Sequence, residues 1–240
     1  MEREDFLATL QHSGVQLRDS FRGVSVDWLS CICDGIPYGD PAGKLTIDVV
    51  YELMCCFGLA NALKPNVSNL RLVAAPGVNG FRFPLKPGRK EAFAFFRFEY
   101  EDTSYDLCCG VAIPVVDEPP EAPDITLEEH RSILPDSSRR HGAPRALWDA
   151  KYHKGAASKS DFQQIQSWGR IFNLPPYAPG DLLARLMPTS FQVSGILTNA
   201  PVIQFNRGQM LESRCSVLFN YSGNYTTPPT PTRIEHEAVT

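Results

Sequence analysis

The alternation of apolar and polar positions divides the chain into a helix-like block, a run of strand-like blocks, a second helix and closing strands. Residues 45–63, LTIDVVYELMCCFGLANAL, are apolar on most faces, contain no proline and have the length of a helix, which predicts a buried helix with Glu52 in its middle. LRLVAAP, FRFPLK, the long EAFAFFRFEYE of residues 91–101 and SYDLCCGVAIPVV are β-branched and aromatic and partly alternate. They are bounded by PGVNG, KPGRK and EDTS turns, so each is expected to be a strand. VDEPPEAP reads as an acidic, proline-rich connector. Further strands are expected over residues 124–128 and 145–152, separated by a polar loop, HRSILPDSSRRHG. Ser160 is the expected cap of a helix, DFQQIQSWGRIF, stopped by Asn173 and the pair Pro175 and Pro176. SFQVSGILTNAPVIQF and RCSVLFNYS read as the last strands.

The first 45 residues carry turn signals such as IPYGDPAGK around short apolar stretches, and predict one or two short helices with loops. TTPPTPTRIEHEAVT has the composition of a disordered tail. No internal repeat is visible. The expected organisation is a helical and looped segment over 1–44, one α/β domain over 45–226 with a central mixed sheet, and a tail over 227–240.

Composition agrees with that division. A chain of 240 residues, 43% hydrophobic, with 23 basic and 27 acidic side chains and a net charge of −4, suits one larger single-core domain. No apolar run approaches the roughly 20 residues that span a bilayer, and MEREDFLATLQHSG is charged and broken where a secretory signal is basic and then apolar. Neither a membrane partner nor export is expected. Seven cysteines are odd in number, and the vicinal pairs in LMCCFGLA and YDLCCGVAI suit buried thiols better than disulfides or a zinc site. Cys31 and Cys33 alone are spaced loosely like ligands, and read as two inward positions of an apolar segment. Reduced thiols point to the cytoplasm. The mildly acidic total argues against a chain that coats nucleic acid by bulk charge, and leaves a local basic groove open.

The residues with chemistry gather around two neighbouring strand candidates. Pro123-Asp124 leads into ITLEE, and ALW leads into Asp149-Ala150-Lys151. In a strand Asp149 and Lys151 project from one face, and an adjacent Asp124 would add a second carboxylate. Hard oxygen ligands of this kind suit Mg²⁺, which keeps several waters for substrate phosphates. Phosphodiester hydrolysis needs such a centre: an activated water, stabilisation of charge on the phosphate, and a neutralised leaving oxygen.

With these residues the chain resembles the PD-(D/E)XK nucleases of the restriction-endonuclease-like fold, closest in look to the McrC-like and RecB-like branches. The similarity implies an αβββαβ core with a central mixed sheet flanked by helices. It implies Asp124 as the PD acid, Asp149 and Lys151 as the D-x-K pair, and the carbonyl of Ala150 as a further metal ligand. Glu52 falls where many members carry an acid on the helix before the sheet; on its own pattern it also reads as one member of a narrow polar stripe with Asp48. Asp161-Phe162-Gln163-Gln164 followed by Trp168 looks like the Gln-x-x-x-Tyr helix of those branches with Trp for Tyr, which implies that Gln164 touches the substrate backbone. A second Pro-Asp pair, Pro135-Asp136, precedes SSRRHG and belongs to the loop.

Charge position adds to this. Between Arg139 and Lys159 stand Arg139, Arg140, Arg145, Lys151, Lys154 and Lys159 against Asp149 alone, whereas residues 98–129 hold ten acids and no Lys or Arg. A basic loop beside carboxylates is what a phosphate backbone at a metal site calls for, so Arg139, Arg140, Arg145, Lys154 and Lys159 are the expected nucleic-acid contacts. Arg82, Lys86, Arg89 and Lys90 form a second candidate basic hairpin. His130, His141 and His153 lack any nucleophile-elbow or protease-like context, and His153 reads as a strand-end surface residue.

The expectation is therefore a cytoplasmic Mg²⁺-dependent deoxyribonuclease, with Mn²⁺ able to substitute, in restriction or anti-phage and mobile-element defence. Cutting both strands favours a homodimer. No Walker A loop occurs, so a nucleotide-driven motor, where one is needed, is a separate NTPase or defence-complex subunit. The rival expectations are a catalytically inactive subunit that keeps the fold, and an RNA-directed nuclease, for which no aromatic RNP-like motif speaks.

Overall fold

The computed structural model describes residues 5, 8–10, 12, 46–75, 83, 88–115, 117–130, 144–152, 158–172, 174, 182–186, 194–199 and 216–218. Almost all of the expected N-terminal segment, most of the FRFPLK strand, residues 131–143 of the basic loop and the tail lie outside them.

Helix α1 (Ile47–Leu63) begins where Thr46 takes extended backbone and its hydroxyl accepts from the Val49 amide, with Asp48 in the first turn. It is buried on nearly every side, from Val50 and Tyr51 to Ala62 and Leu63, because it lies within the core rather than over it. Pro65 cannot extend the helical ladder, and the chain leaves through a 3₁₀ turn, Lys64–Asn66.

The strands described after it are β1 (Ser68–Val73), β2 (Phe95–Tyr100), β3 (Thr103–Cys109), β4 (Ile113–Val115), β5 (Glu118–Glu121), β6 (Ile125–Glu129) and β7 (Pro144–Lys151). Helices α2 (Lys159–Ile171) and α3 (Leu182–Leu186) follow, then β8 (Gly195–Thr198) and β9 (Ser216–Leu218). Seven of these strands form one sheet in the order β1-β2-β3-β6-β7-β8-β9, and β4 pairs with β5 separately. β1 to β7 pair antiparallel, whereas β8 and β9 run parallel to β7, so the sheet is mixed and the domain is α/β. The parallel step from β7 to β8 needs a crossover, and the segment carrying α2 and α3 supplies it.

Period-two alternation assigns the faces. Phe96, Phe98, Leu107, Leu127, Ala146 and Trp148 belong to the core that α1 fills. On the other face Leu147 of β7 and Ile196 of β8 receive Phe162, Ile165 and Trp168, the apolar stripe of α2 at helical spacing.

Several expected boundaries change. SYDLCCGVAIPVV is two strands, because the chain turns at Gly110, whose φ of 57° suits a residue without a side chain. VDEPPEAP is not only a connector: after Asp117 at φ 60°, its Glu118–Glu121 becomes β5, and Pro119 and Pro120 are tolerated because a two-stranded ribbon leaves one side of each strand unpaired. EAFAFFRFEYE is extended only from Phe95, after a 3₁₀ turn over Lys90–Ala92. The cap of α2 is Ser158, not Ser160. The Ser158 hydroxyl accepts from the Asp161 amide while the Asp161 carboxylate accepts from the Ser158 amide, a reciprocal capping box that Ser160 cannot form with an acid three residues on. Among the described residues no helix is long and apolar enough to cross a membrane.

Candidate active site

Ile125 of β6 stands opposite Trp148 of β7 in the antiparallel ladder. The next positions outward, Asp124 and Asp149, are therefore brought face to face. Asp124 is fixed at both ends: its carbonyl accepts from the Gly110 amide at 2.6 Å, and its Oδ2 accepts from the Ala150 amide at 2.8 Å. Asp149 alternates with Trp148 and Ala150 along β7 and is buried to 1% exposure. Lys151 Nζ lies 2.9 Å from Asp149 Oδ1 and 3.9 Å from Asp124 Oδ2.

The Asp124 and Asp149 carboxyls are close enough to hydrogen-bond to each other, which requires that one of them carry a proton. When both are ionised, Asp149 Oδ2 is a buried acceptor without a donor. Burial, and then the charge of Asp124, push the Asp149 carboxyl up to about 8 against the pull of Lys151. Burial and then Glu52 raise Asp124, opposed first by the Asp149 hydrogen bond and then by Lys151 and the Ala150 amide. Burial works against the Lys151 ammonium, and Asp149 with Asp124 more than offsets it, so Lys151 is held firmly protonated.

Glu52 joins this group from α1. The Tyr51 and Tyr152 rings, 6.2 Å apart between centroids, set the start of α1 beside the end of β7. Burial drives the Glu52 carboxyl up to about 7, with Lys151 lowering it and Asp149 and Asp48 raising it. Glu52 therefore lies in the electrostatic field of Lys151 and Asp149 as well as of Asp48. Asp161, in the first turn of α2, adds its field to Lys151. Gln164 is exposed on the next turn of the side that carries Asp161, and no described hydrogen bond ties it to the carboxylates.

Two aspartates, a glutamate and nearby backbone carbonyls are hard oxygen donors, and the donorless Asp149 Oδ2 is an atom that a cation would satisfy. The residues fit Mg²⁺ or Mn²⁺ in that sense. Among the described residues no group of three or more acidic, His or Cys side chains is arranged to hold a metal ion.

Of the expected nucleic-acid contacts, Arg145 is exposed and paired with Glu129 at 2.5 Å, and Lys159 is exposed at the start of α2. Arg139, Arg140 and Lys154 lie outside the described residues, as do Arg82 and Lys86. Lys90 is not part of a basic hairpin for a duplex. It is fully buried, 2.8 Å from Asp106 Oδ2 and in contact with Glu128 Oε1, while the neighbouring Arg89 is exposed. Arg97 binds the same Asp106 through two nitrogens, at 2.7 and 3.0 Å, and His130 Nδ1 is 3.2 Å away. This buried ionic row was missed from sequence, although Arg97 sits in phase with Phe95, and Asp106 with Cys108, so charged residues share an apolar face. The described cysteines, Cys55, Cys56, Cys108 and Cys109, are buried free thiols, as expected.

Compared with protein-family models, curated proteins and solved structures, the chain matches none.

Proposed function

We propose that this chain is a metal-dependent nuclease of the PD-(D/E)XK kind that hydrolyses DNA phosphodiester bonds in restriction or anti-phage defence. The observation that carries the reading is the convergence of Asp124, Asp149 and Lys151 at the facing ends of β6 and β7, with Asp149 Oδ2 left without a donor. With β1, β2, β4, β5, α3 and β9 as additions, the elements α1, β3, β6, β7, α2 and β8 give the expected αβββαβ succession, which supports a restriction-endonuclease-like core.

In this proposal Asp124, Asp149, the Ala150 carbonyl and Glu52 hold Mg²⁺, or Mn²⁺ in its place. The bound ion supplies Lewis acidity and a water of lowered pKa. Lys151 Nζ, paired with Asp149, would orient the attacking water and neutralise charge on the phosphate oxygens. Where Glu52 does not complete the oxygen ligands, its part would be to position the attacking water. Gln164, Arg145 and Lys159 contact the strand backbone. The cytoplasmic location proposed with it rests on buried free thiols.

The test is Mg²⁺-dependent cleavage of plasmid, linear and single-stranded DNA beside matched RNA. Asp149→Ala and Lys151→Ala are expected to abolish cleavage while circular dichroism stays that of the wild type. Cleavage of RNA alone moves the substrate to RNA. Mg²⁺ binding by calorimetry without cleavage of any substrate makes the chain a non-catalytic subunit, and activity that survives both substitutions removes the site assignment.

A further inference from the structure

Trp168 is the one aromatic departure from the helix motif, and its indole is not idle. The ring is buried to 1% exposure in the cluster that seats α2 on Leu147 and Ile196, and that cluster also takes in Ile113 of β4. From there the Nε1–H donates to Glu121 Oε2 at 2.7 Å. Glu121 ends β5, three residues before Asp124. One hydrogen bond thus joins the segment that delivers Asp124 to the helix whose first turn places Asp161 in the field of Lys151.

We infer that Glu121 is a positioning residue for the Asp124–Asp149–Lys151 site, acting through Trp168, and this rests on the nuclease reading above. A charge-assisted hydrogen bond to a buried indole is short and directional, so it sets the distance between the β4–β5 ribbon and α2 where apolar contacts alone allow sliding. Asp124 inherits that restraint through Ala122 and Pro123, the latter fixed in φ. Its other anchors, the Gly110 and Ala150 amides, hold Asp124 to β3 and β7 but not to α2. Residues that support metal ligands from behind in this way typically change metal affinity or turnover by about 10- to 100-fold when removed.

The test uses the full chain. Glu121→Ala and Trp168→Phe are each expected to weaken Mg²⁺ binding in calorimetry, and the cleavage kcat, by about 10-fold, with KM for DNA nearly unchanged. Glu121→Gln keeps an oxygen for the indole and is expected to restore most of both, and the double variant is expected to lose no more than either single one. Trp168→Phe also assigns the indole N–H resonance, which in the wild type is expected to shift on Mg²⁺ titration. Wild-type metal affinity and kcat in both single variants overturns the role of Glu121 while leaving the nuclease reading intact. An indole resonance indifferent to Mg²⁺ overturns it even if the variants do not fold. A wild-type chain that neither binds Mg²⁺ nor cleaves overturns both.

Discussion

Replacing Asp149 by Asn is expected to make the metal-free protein more stable while abolishing its activity. The folded carboxyl has its pKa pushed from 3.8 to about 8, first by burial and then by Asp124. A carboxyl whose folded pKa lies above its unfolded value contributes stability that is complete below about pH 4 and lost as pH climbs toward the folded value. At pH 7 the wild type stands about three pH units into that window, and at roughly 1.4 kcal/mol per unit the loss is bounded at about 4 kcal/mol. Sharing the proton with Asp124 and losing the Lys151 pair reduce the gain to roughly 2 kcal/mol. Asn is isosteric with the protonated acid: its amide can donate to Asp124 and its oxygen can face Lys151. In chelator at pH 7 to 8 the variant should melt about 4 to 8 °C above the wild type by circular dichroism, with the difference vanishing near pH 4. Saturating Mg²⁺ should raise only the wild type and close the gap. An Asn variant that melts below the wild type at pH 8, or a gap that does not depend on pH, would refute the claim that uncompensated carboxylate charge is stored at this site.

Lys90→Met leaves Glu128 buried without its ammonium, and should cost about 3 to 5 kcal/mol in urea unfolding, with part of that recovered when Glu128→Met is added. Asp106 works in the opposite sense from Asp149. Burial would raise its pKa, but the hydrogen bonds and charges of Arg97 and Lys90 together outweigh it and hold it below the ordinary value. Its contribution is therefore present above the unfolded pKa and lost as pH falls through the folded one, so Asp106→Asn should flatten the acid limb of guanidinium midpoints measured between pH 2 and 5. Ser158→Ala removes the hydroxyl half of the α2 capping box and should lower stability by about 1 kcal/mol, a drop of about 2 to 4 °C in melting temperature.

What could be read from the residues followed how local the causes were. Helix α1 was legible within two residues of its observed start because no proline breaks its largely apolar run, and β6 and β7 because each is a short segment built around apolar residues, Ile125 and Leu127 in one and Ala146 to Trp148 in the other. β5 was not, since Glu118–Glu121 is written in prolines and acids, and becomes a strand only because β4 offers it a partner. The Asp149–Lys151 pair follows from period two alone, but its meeting with Asp124 depends on the register of Ile125 against Trp148, which no local pattern contains. Lys90 was misread for the same kind of reason. KPGRK has the look of a solvated turn, and the two acids that draw Lys90 inside stand 16 and 38 residues away on other strands.

The charges decide more by their pairing than by their count. Residues 98–129 hold ten acids, and most of those described are answered within the protein. Asp106 and Glu128 meet Lys90 and Arg97, Glu129 meets Arg145, Glu101 meets Arg185, and Glu99 meets Arg71. Where β6 and β7 present their ends the described pairing is leaner: among the described residues Asp124, Asp149 and Glu52 share the ammonium of Lys151, and the pKa of each carboxyl is driven upward. Leaving charge uncompensated costs stability at neutral pH, and such a cost persists where something outside the chain repays it. The divalent cation proposed above has the charge and the oxygen preference that would match that deficit.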